Sequence, residues 1–149
     1  MSKALIAAGC FWGIEEHYRK INGVLNTKVG YTGGHFDNPT YEDVCSGNTG
    51  HAEAVLIDFD DLKLTYEEIL NLFWSCHDPT QLNRQGYDIG SQYRSAIYYY
   101  SEKQKQIAAN SKDTFQNKFN NSIVTEITKA TEFFLAEDYH QCFIQKKNY

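Results

Sequence analysis

The chain has no Cys-x-x-Cys pair and no cluster of histidines at metal-ligand spacing; its 4 cysteines, at 10, 45, 76 and 142, are widely and irregularly spaced. This excludes a zinc knuckle and a secreted disulfide framework, and points to a reducing cytoplasm. There is no basic stripe and the net charge is −5, which argues against nucleic acid or an anionic membrane as partner. No apolar run is long enough for a signal-peptide core or a membrane span: Met1-Ser2-Lys3 leads directly into a strand of about six residues. Internal repeats and low-complexity tracts are also missing. What remains is 149 residues, 42% hydrophobic, with 11 Tyr and 9 Phe. That is one domain, with a core large enough to need no staples and too apolar to be disordered.

The stretch Gly9-Cys10-Phe11-Trp12-Gly13 follows the apolar run 4–8. The run reads as a buried strand and Ile14 to Ile21 as a helix, so Cys10 falls at a strand-to-helix turn. There, free N–H groups and the positive end of the helix dipole favour a thiolate. Flanking glycines let the backbone turn and leave the sulfur approachable, while Phe11 and Trp12 offer an apolar surface to a ligand. A plain alternative makes Cys10 a small core residue with two aromatics capping the core.

His51 to Phe59 reads as a strand with Val55, Ile57 and Phe59 on its core face, and Glu53 on that same face two residues earlier. A carboxyl aimed at the core near a strand end is desolvated, its pKa rises, and it stays protonated near neutral pH, as a general acid must. The alternative is a Glu paired with an Arg or capping a loop amide.

Along the rest of the chain, Val24 to Tyr31 reads as a strand with Leu25, Thr27, Val29 and Tyr31 on one face. Residues 32–50 carry turn chemistry throughout, in an ordered loop. Thr65 and Glu68 form a capping box for a helix through Ile69 and Phe73, which Asp78-Pro79 stops, with Cys76 as core filler. A second polar loop covers about 80–93, and Ser95 to Tyr100 is a strand. Ser101 and Gln104 cap a helix with the stripe Ile107, Ala108, Ser111, Phe115 and Phe119. Glu126 to Lys129 reads as an edge strand, and Glu137 to Ile144 as a final helix before the basic tail 146–149. The order β-α-β-β-α-β with a helical appendix predicts an α+β two-layer sandwich: a mixed sheet with a split βαβ, ferredoxin-like core and added helices.

The cysteine stretch resembles the signature of the A-type peptide methionine sulfoxide reductases. The same family pattern continues, in order, through Gly30-Tyr31-Thr32-Gly33-Gly34, Asn38-Pro39-Thr40-Tyr41, Val44-Cys45-Ser46-Gly47 and Gly50-His51-Ala52-Glu53-Ala54-Val55. It resumes in His77-Asp78-Pro79-Thr80 and Gln92-Tyr93-Arg94-Ser95-Ala96-Ile97-Tyr98, with a weaker match at Ala136-Glu137-Asp138-Tyr139-His140-Gln141.

The resemblance implies reduction of methionine-S-sulfoxide, free or in proteins, for protein repair. Cys10 would attack the sulfoxide sulfur and become a sulfenic acid, Glu53 would protonate the departing oxygen, and the Tyr41 and Tyr93 hydroxyls would hold that oxygen. Phe11 and Trp12 would take the S-methyl group and Asp88 would orient the substrate. No metal or organic cofactor is implied. Many relatives carry a resolving cysteine in a Gly-rich C-terminal tail that this sequence, one domain over 1–149, does not contain. An external thiol, thioredoxin or glutathione with glutaredoxin, is therefore expected as reductant, with Cys45 or Cys142 as occasional resolvers. A monomer is expected. His51 and His77 read as hydrogen-bonded structural groups. Two rival readings stand beside this one: acyl transfer or peroxide reduction by the same thiol, for which no histidine base is nominated, and a binding module gripping an apolar peptide.

Overall fold

A computed structural model of the chain describes residues 2–147; Met1 and the tail residues Asn148 and Tyr149 lie outside them. Strands β1 (Ser2–Ala8), β2 (Val24–Thr32), β3 (Ala52–Phe59) and β6 (Ser95–Tyr99) form the centre of a sheet. Helix α1 (Phe11–Arg19) joins β1 to β2, and α3 (Tyr66–Ser75) leads from β3 toward β6. A two-stranded hairpin, β4 (Arg84–Gln85) and β5 (Asp88–Ile89), stands in the loop before β6. Helix α4 (Glu102–Gln116), β7 (Glu126–Lys129), β8 (Phe134–Leu135) and the short α5 (Phe143–Lys147) complete the chain.

The sheet is mixed, in the order β7-β6-β1-β3-β2-β8. Strand β3 lies between β1 and β2 and is antiparallel to both, β6 is antiparallel to β1, and β7 runs parallel to β6. Every residue of β3 is buried, as is β1 from Ala4 onward, which is why both read as near-continuous apolar runs. One face carries Ile6, Val55, Ile57 and Phe59 and is covered by Ile14 and Tyr18 of α1, Ile69 and Phe73 of α3, and Ala108 of α4. The other face is built from small residues, Ala7, Ala52, Ala54 and Ala96 with Leu5, Leu56 and Tyr98, against Phe133 and Ala130.

The local signals explain the elements. Thr65 and Glu68 make the reciprocal capping box that starts α3. Ser111 sits within the apolar stripe of α4 because its hydroxyl accepts the Trp74 indole N–H at 2.7 Å, tying α3 to α4. Three expectations fail. Leu25 is 58% exposed, because a register shift between Val24 and Asn26 takes it off the face it shares with Thr27 and Val29 in a regular strand. The loop 32–50 contains a helix, α2 (Tyr41–Cys45), started by a Thr40–Asp43 capping box. The segment 137–144 is not one helix: a 3₁₀ turn at Asp138–His140 is separated from α5 by Cys142, whose φ is +51°.

The α2 loop folds tightly over the end of β3. A Cβ on Gly34 would lie 2.4 Å from both the His51 amide nitrogen and the Thr49 carbonyl oxygen, neither of which can move independently of the backbone. Gly34→Ala should therefore lower stability by about 1–3 kcal/mol, read as a lower urea midpoint at unchanged slope.

Candidate active site

Strand β1 ends at Gly9, whose φ of +104° is open to glycine and strained for other residues. A side chain there would also meet Gln85, 2.9 Å away, so the glycine lets the β4–β5 hairpin approach the turn. Gln85 is fixed in its turn by Asp78, donating to its carbonyl at 2.9 Å and accepting from its amide at 2.8 Å. Gly13, by contrast, is exposed with nothing near its Cβ position, so only the first glycine of the pair is required by the backbone.

Cys10 is the N-cap residue of α1. Glu53, one alternation along β3 from Val55, is 1% exposed and accepts the Phe11 N–H at 3.2 Å, so its carboxylate lies beside the sulfur-bearing turn. Burial raises its pKa to about 7, against the lowering effect of that N–H and with a further rise from Asp88. No ion pair among the described residues involves Glu53. The carboxyl thus both caps a loop amide and has the proton affinity of a general acid.

The sulfur corrects an expectation. Burial pushes the Cys10 thiol up to about 11; the N–H groups of Trp12 and Gly13 pull the other way, as a helix start should, but Glu53 and Asp88 add to the rise. Desolvation wins, and the resting group is a thiol rather than a thiolate.

Four more expected residues gather here. Tyr41 is the first residue of α2, half-buried, its phenol raised by burial and by Cys45. Tyr93 ends a 3₁₀ turn (Ser91–Tyr93) and is pushed up to about 12 by burial, with Glu53, Cys45, Asp88 and Cys10 all close enough for their charge to act on it. Asp88, exposed on β5, acts on Cys10 and Glu53 as well. Cys45 is exposed at the end of α2, within reach of the Tyr41 hydroxyl.

The remaining expected residues lie differently. Phe11 is 1% exposed and packs beneath the site on Tyr31 and His140, so of the expected apolar pair only Trp12 reaches the surface. Cys142 sits on the flank of α1, its N–H donating to Glu15 at 2.7 Å and its sulfur 3.8 Å from the same carboxylate, and Cys10 is not among the groups acting on it. Cys76, pushed up to about 12 by burial, is in the core margin. His51 accepts the Gly34 N–H and bonds the Phe36 carbonyl, and His77 bridges the Phe73 carbonyl and the Ser95 hydroxyl.

Sequence reasoning missed Glu137. Its carboxylate accepts the Tyr31 hydroxyl and the Tyr41 N–H, each at 2.9 Å, and so fixes the start of α2. The stretch 136–141 was the only signal, and it carries no spacing that nominates a role. A cavity of about 450 Å³ lies elsewhere, lined by Ser2, Phe59, Thr65, Ser101 and Ile107, and none of the candidate residues borders it.

An α+β domain that sets a cysteine at a helix N-cap beside a half-protonated carboxyl and two raised phenols has the layout of a thiol-dependent oxidoreductase. The chain belongs to the peptide methionine sulfoxide reductase family, whose family model matches residues 2–149. It is 54% identical over 151 residues to the peptide methionine sulfoxide reductase MsrA of Methanosarcina acetivorans, covering 100% of this chain and 80% of that protein. The reduced form of Mxr1 from Saccharomyces cerevisiae has the same fold, with a TM-score of 0.93 at 37% identity over 97% of this chain and 84% of that one. Mxr1 in complex with Trx2 aligns with a TM-score of 0.69 at 25% identity, over 95% and 84% of the two chains.

Proposed function

We propose that this chain reduces the S epimer of methionine sulfoxide, free or in oxidised proteins, to methionine, using thiols as the electron source. The carrying observation is the raised Glu53 carboxyl bonded to the amide that follows Cys10. The oxygen of a sulfoxide can leave only if it is protonated, and a carboxyl half-protonated at neutral pH is suited to that. Cys10 attacks the sulfoxide sulfur and forms a bond to it, the protonated oxygen leaves as the substrate S–O bond breaks, and an oxygen of water or of the released hydroxide then adds to the Cys10 sulfur, breaking the new S–S bond to give methionine and a Cys10 sulfenic acid. Atoms balance: Cys–SH and R₂SO give Cys–SOH and R₂S. Glu53 gives its proton to the oxygen and recovers one from the thiol, which the high resting pKa of Cys10 leaves protonated.

The raised Tyr41 and Tyr93 phenols stay protonated and donate to the polarised oxygen, as an oxyanion hole does. Trp12 supplies the wall for the S-methyl group, with Phe11 supporting it from below, and Asp88 orients the substrate backbone. The sulfenic acid then condenses with an external thiol, releasing water, and a second thiol restores Cys10. A thioredoxin-type dithiol is the favoured reductant, since Mxr1 binds Trx2, with glutathione and glutaredoxin as alternative. Of the internal candidates we favour Cys45, which shares the site with Tyr41, over Cys142.

We read residues 1–149 as one catalytic domain, monomeric and cytoplasmic, with the strand order of the four central strands supporting a split βαβ, ferredoxin-like core. The step as written needs no metal or organic cofactor. Among the described residues no helix is long and apolar enough to cross a membrane.

Incubation with each epimer and dithiothreitol should give methionine from the S form only; equal turnover of both removes the assignment. Oxidation with one equivalent of substrate, followed by mapping of the cysteines by mass, should find Cys10 able to take an external thiol directly. A stoichiometric Cys10–Cys45 or Cys10–Cys142 disulfide would replace that route with an internal one.

A further inference from the structure

One buried polar residue at the site has no part in the chemistry above. His140 is 0% exposed and lies among aromatic rings, its centroid 5.2 Å from Phe11, 5.6 Å from Trp12, 4.6 Å from Tyr41 and 4.0 Å from Tyr139. Its Nδ1 accepts the Trp12 indole N–H at 2.9 Å, and its Nε2 is buried without a partner among the described residues. An indole nitrogen can only donate, so Nδ1 must carry the lone pair and the hydrogen of the neutral ring must be on Nε2. A protonated ring would point two N–H groups at each other.

This tautomer strands a buried donor, a cost that a phenylalanine or leucine of similar shape would avoid. What Nδ1 holds accounts for it. One face of the Trp12 indole is stacked on Phe143, with centroids 3.9 Å apart and planes 12° from parallel. Stacking alone is indifferent to a half-turn of the indole about its Cβ–Cγ bond, which keeps the planes in contact; the N–H bond to His140 selects one of the two orientations. The clamp is itself anchored independently of Trp12. Gln141 bonds both the N–H and the carbonyl of Val29, the Cys142 N–H bonds Glu15, and Glu137 holds the Tyr41 amide.

We propose that His140, as the neutral Nε2–H tautomer, is a positioning residue that fixes the indole of Trp12 and thereby the shape of the slot for the substrate S-methyl group. This rests on the reading of Trp12 as a wall of that slot.

Three variants separate the parts. His140→Leu removes both nitrogens; His140→Asn keeps an oxygen close to the Nδ1 position; His140→Gln keeps polar atoms nearer Nε2 and vacates Nδ1. In ¹⁵N spectra the chain gives two indole signals, and Trp74, bonded to Ser111, serves as internal reference. The Trp12 signal should move in the leucine and glutamine variants and stay in the asparagine variant. KM for free methionine-S-sulfoxide should rise about tenfold in the first two and return to within about threefold of wild type in the third, with kcat changed less. Should the leucine variant fail to fold, the asparagine–glutamine contrast carries the test. Wild-type KM in folded His140→Leu, or equal behaviour of the asparagine and glutamine variants, overturns the proposal while Trp12→Ala still raises KM. A Trp12→Ala protein with wild-type KM overturns instead the reading of Trp12 on which it rests.

Discussion

Cys10→Ser should form no methionine from either epimer, and in the wild-type protein alkylation of Cys10 should keep accelerating with pH toward about 11. The two results have one cause. A helix N-cap ordinarily lowers a thiol pKa, but here the sulfur is desolvated and faces two carboxyl groups, so the free site stores the proton on sulfur. The serine hydroxyl holds its proton more tightly still and is a far weaker nucleophile, leaving nothing to attack the sulfoxide. Iodoacetamide labelling, followed on the Cys10 peptide so that the other three thiols do not contribute, measures the titration. A rate that levels off below pH 8 would mean that the helix terminus prevails over burial.

Glu53→Gln should act in opposite directions on activity and stability. Losing the proton donor lowers kcat/KM by about 10²–10⁴-fold. The amide can still accept the Phe11 N–H, so the turn after β1 keeps its shape. In the wild-type protein the folded carboxyl holds its proton up to about pH 7, whereas the unfolded one releases it near 4.5. The folded state is therefore penalised as pH rises from about 4.5 to 7, and fully so above that. Raising a buried carboxyl this far costs about 3 kcal/mol at most, so the glutamine variant should gain up to that much at pH 8 and almost nothing at pH 4, measured by urea unfolding. Activity of the wild type should fall about tenfold per pH unit above 7 as the donor ionises, and that limb should vanish in the variant. A limb of the same slope in the glutamine variant would remove Glu53 as the proton source.

The parts of this site that follow from period or from local chemistry could be read without coordinates. Glu53 was legible because alternation along one strand fixes which way a side chain points, and the start of α3 because its capping box is contained in four residues. The α4 stripe was legible as far as Phe115, although the helix ends at Gln116 before Phe119 and the reason for Ser111 within it lies on another helix. Features that depend on distant neighbours were not. Leu25 is displaced by a bulge that no periodicity announces, and α2 is five residues long, too short to display a helical repeat even though its Thr40–Asp43 cap is local. Burial of Phe11 and the high thiol pKa of Cys10 sum contributions from β2, β3, the β4–β5 hairpin and the residues after 130. A sequence shows only the nearest of these.

Those last residues also set the order in which the enzyme can be made. Glu137 fastens Tyr41, His140 fastens Trp12 and Gln141 fastens β2, so positions near the start of the chain await partners that leave the ribosome more than ninety residues later. A nascent chain can pair β1 with β3 long before then, yet its cysteine turn stays unfinished until residues 137–141 have emerged to fasten it.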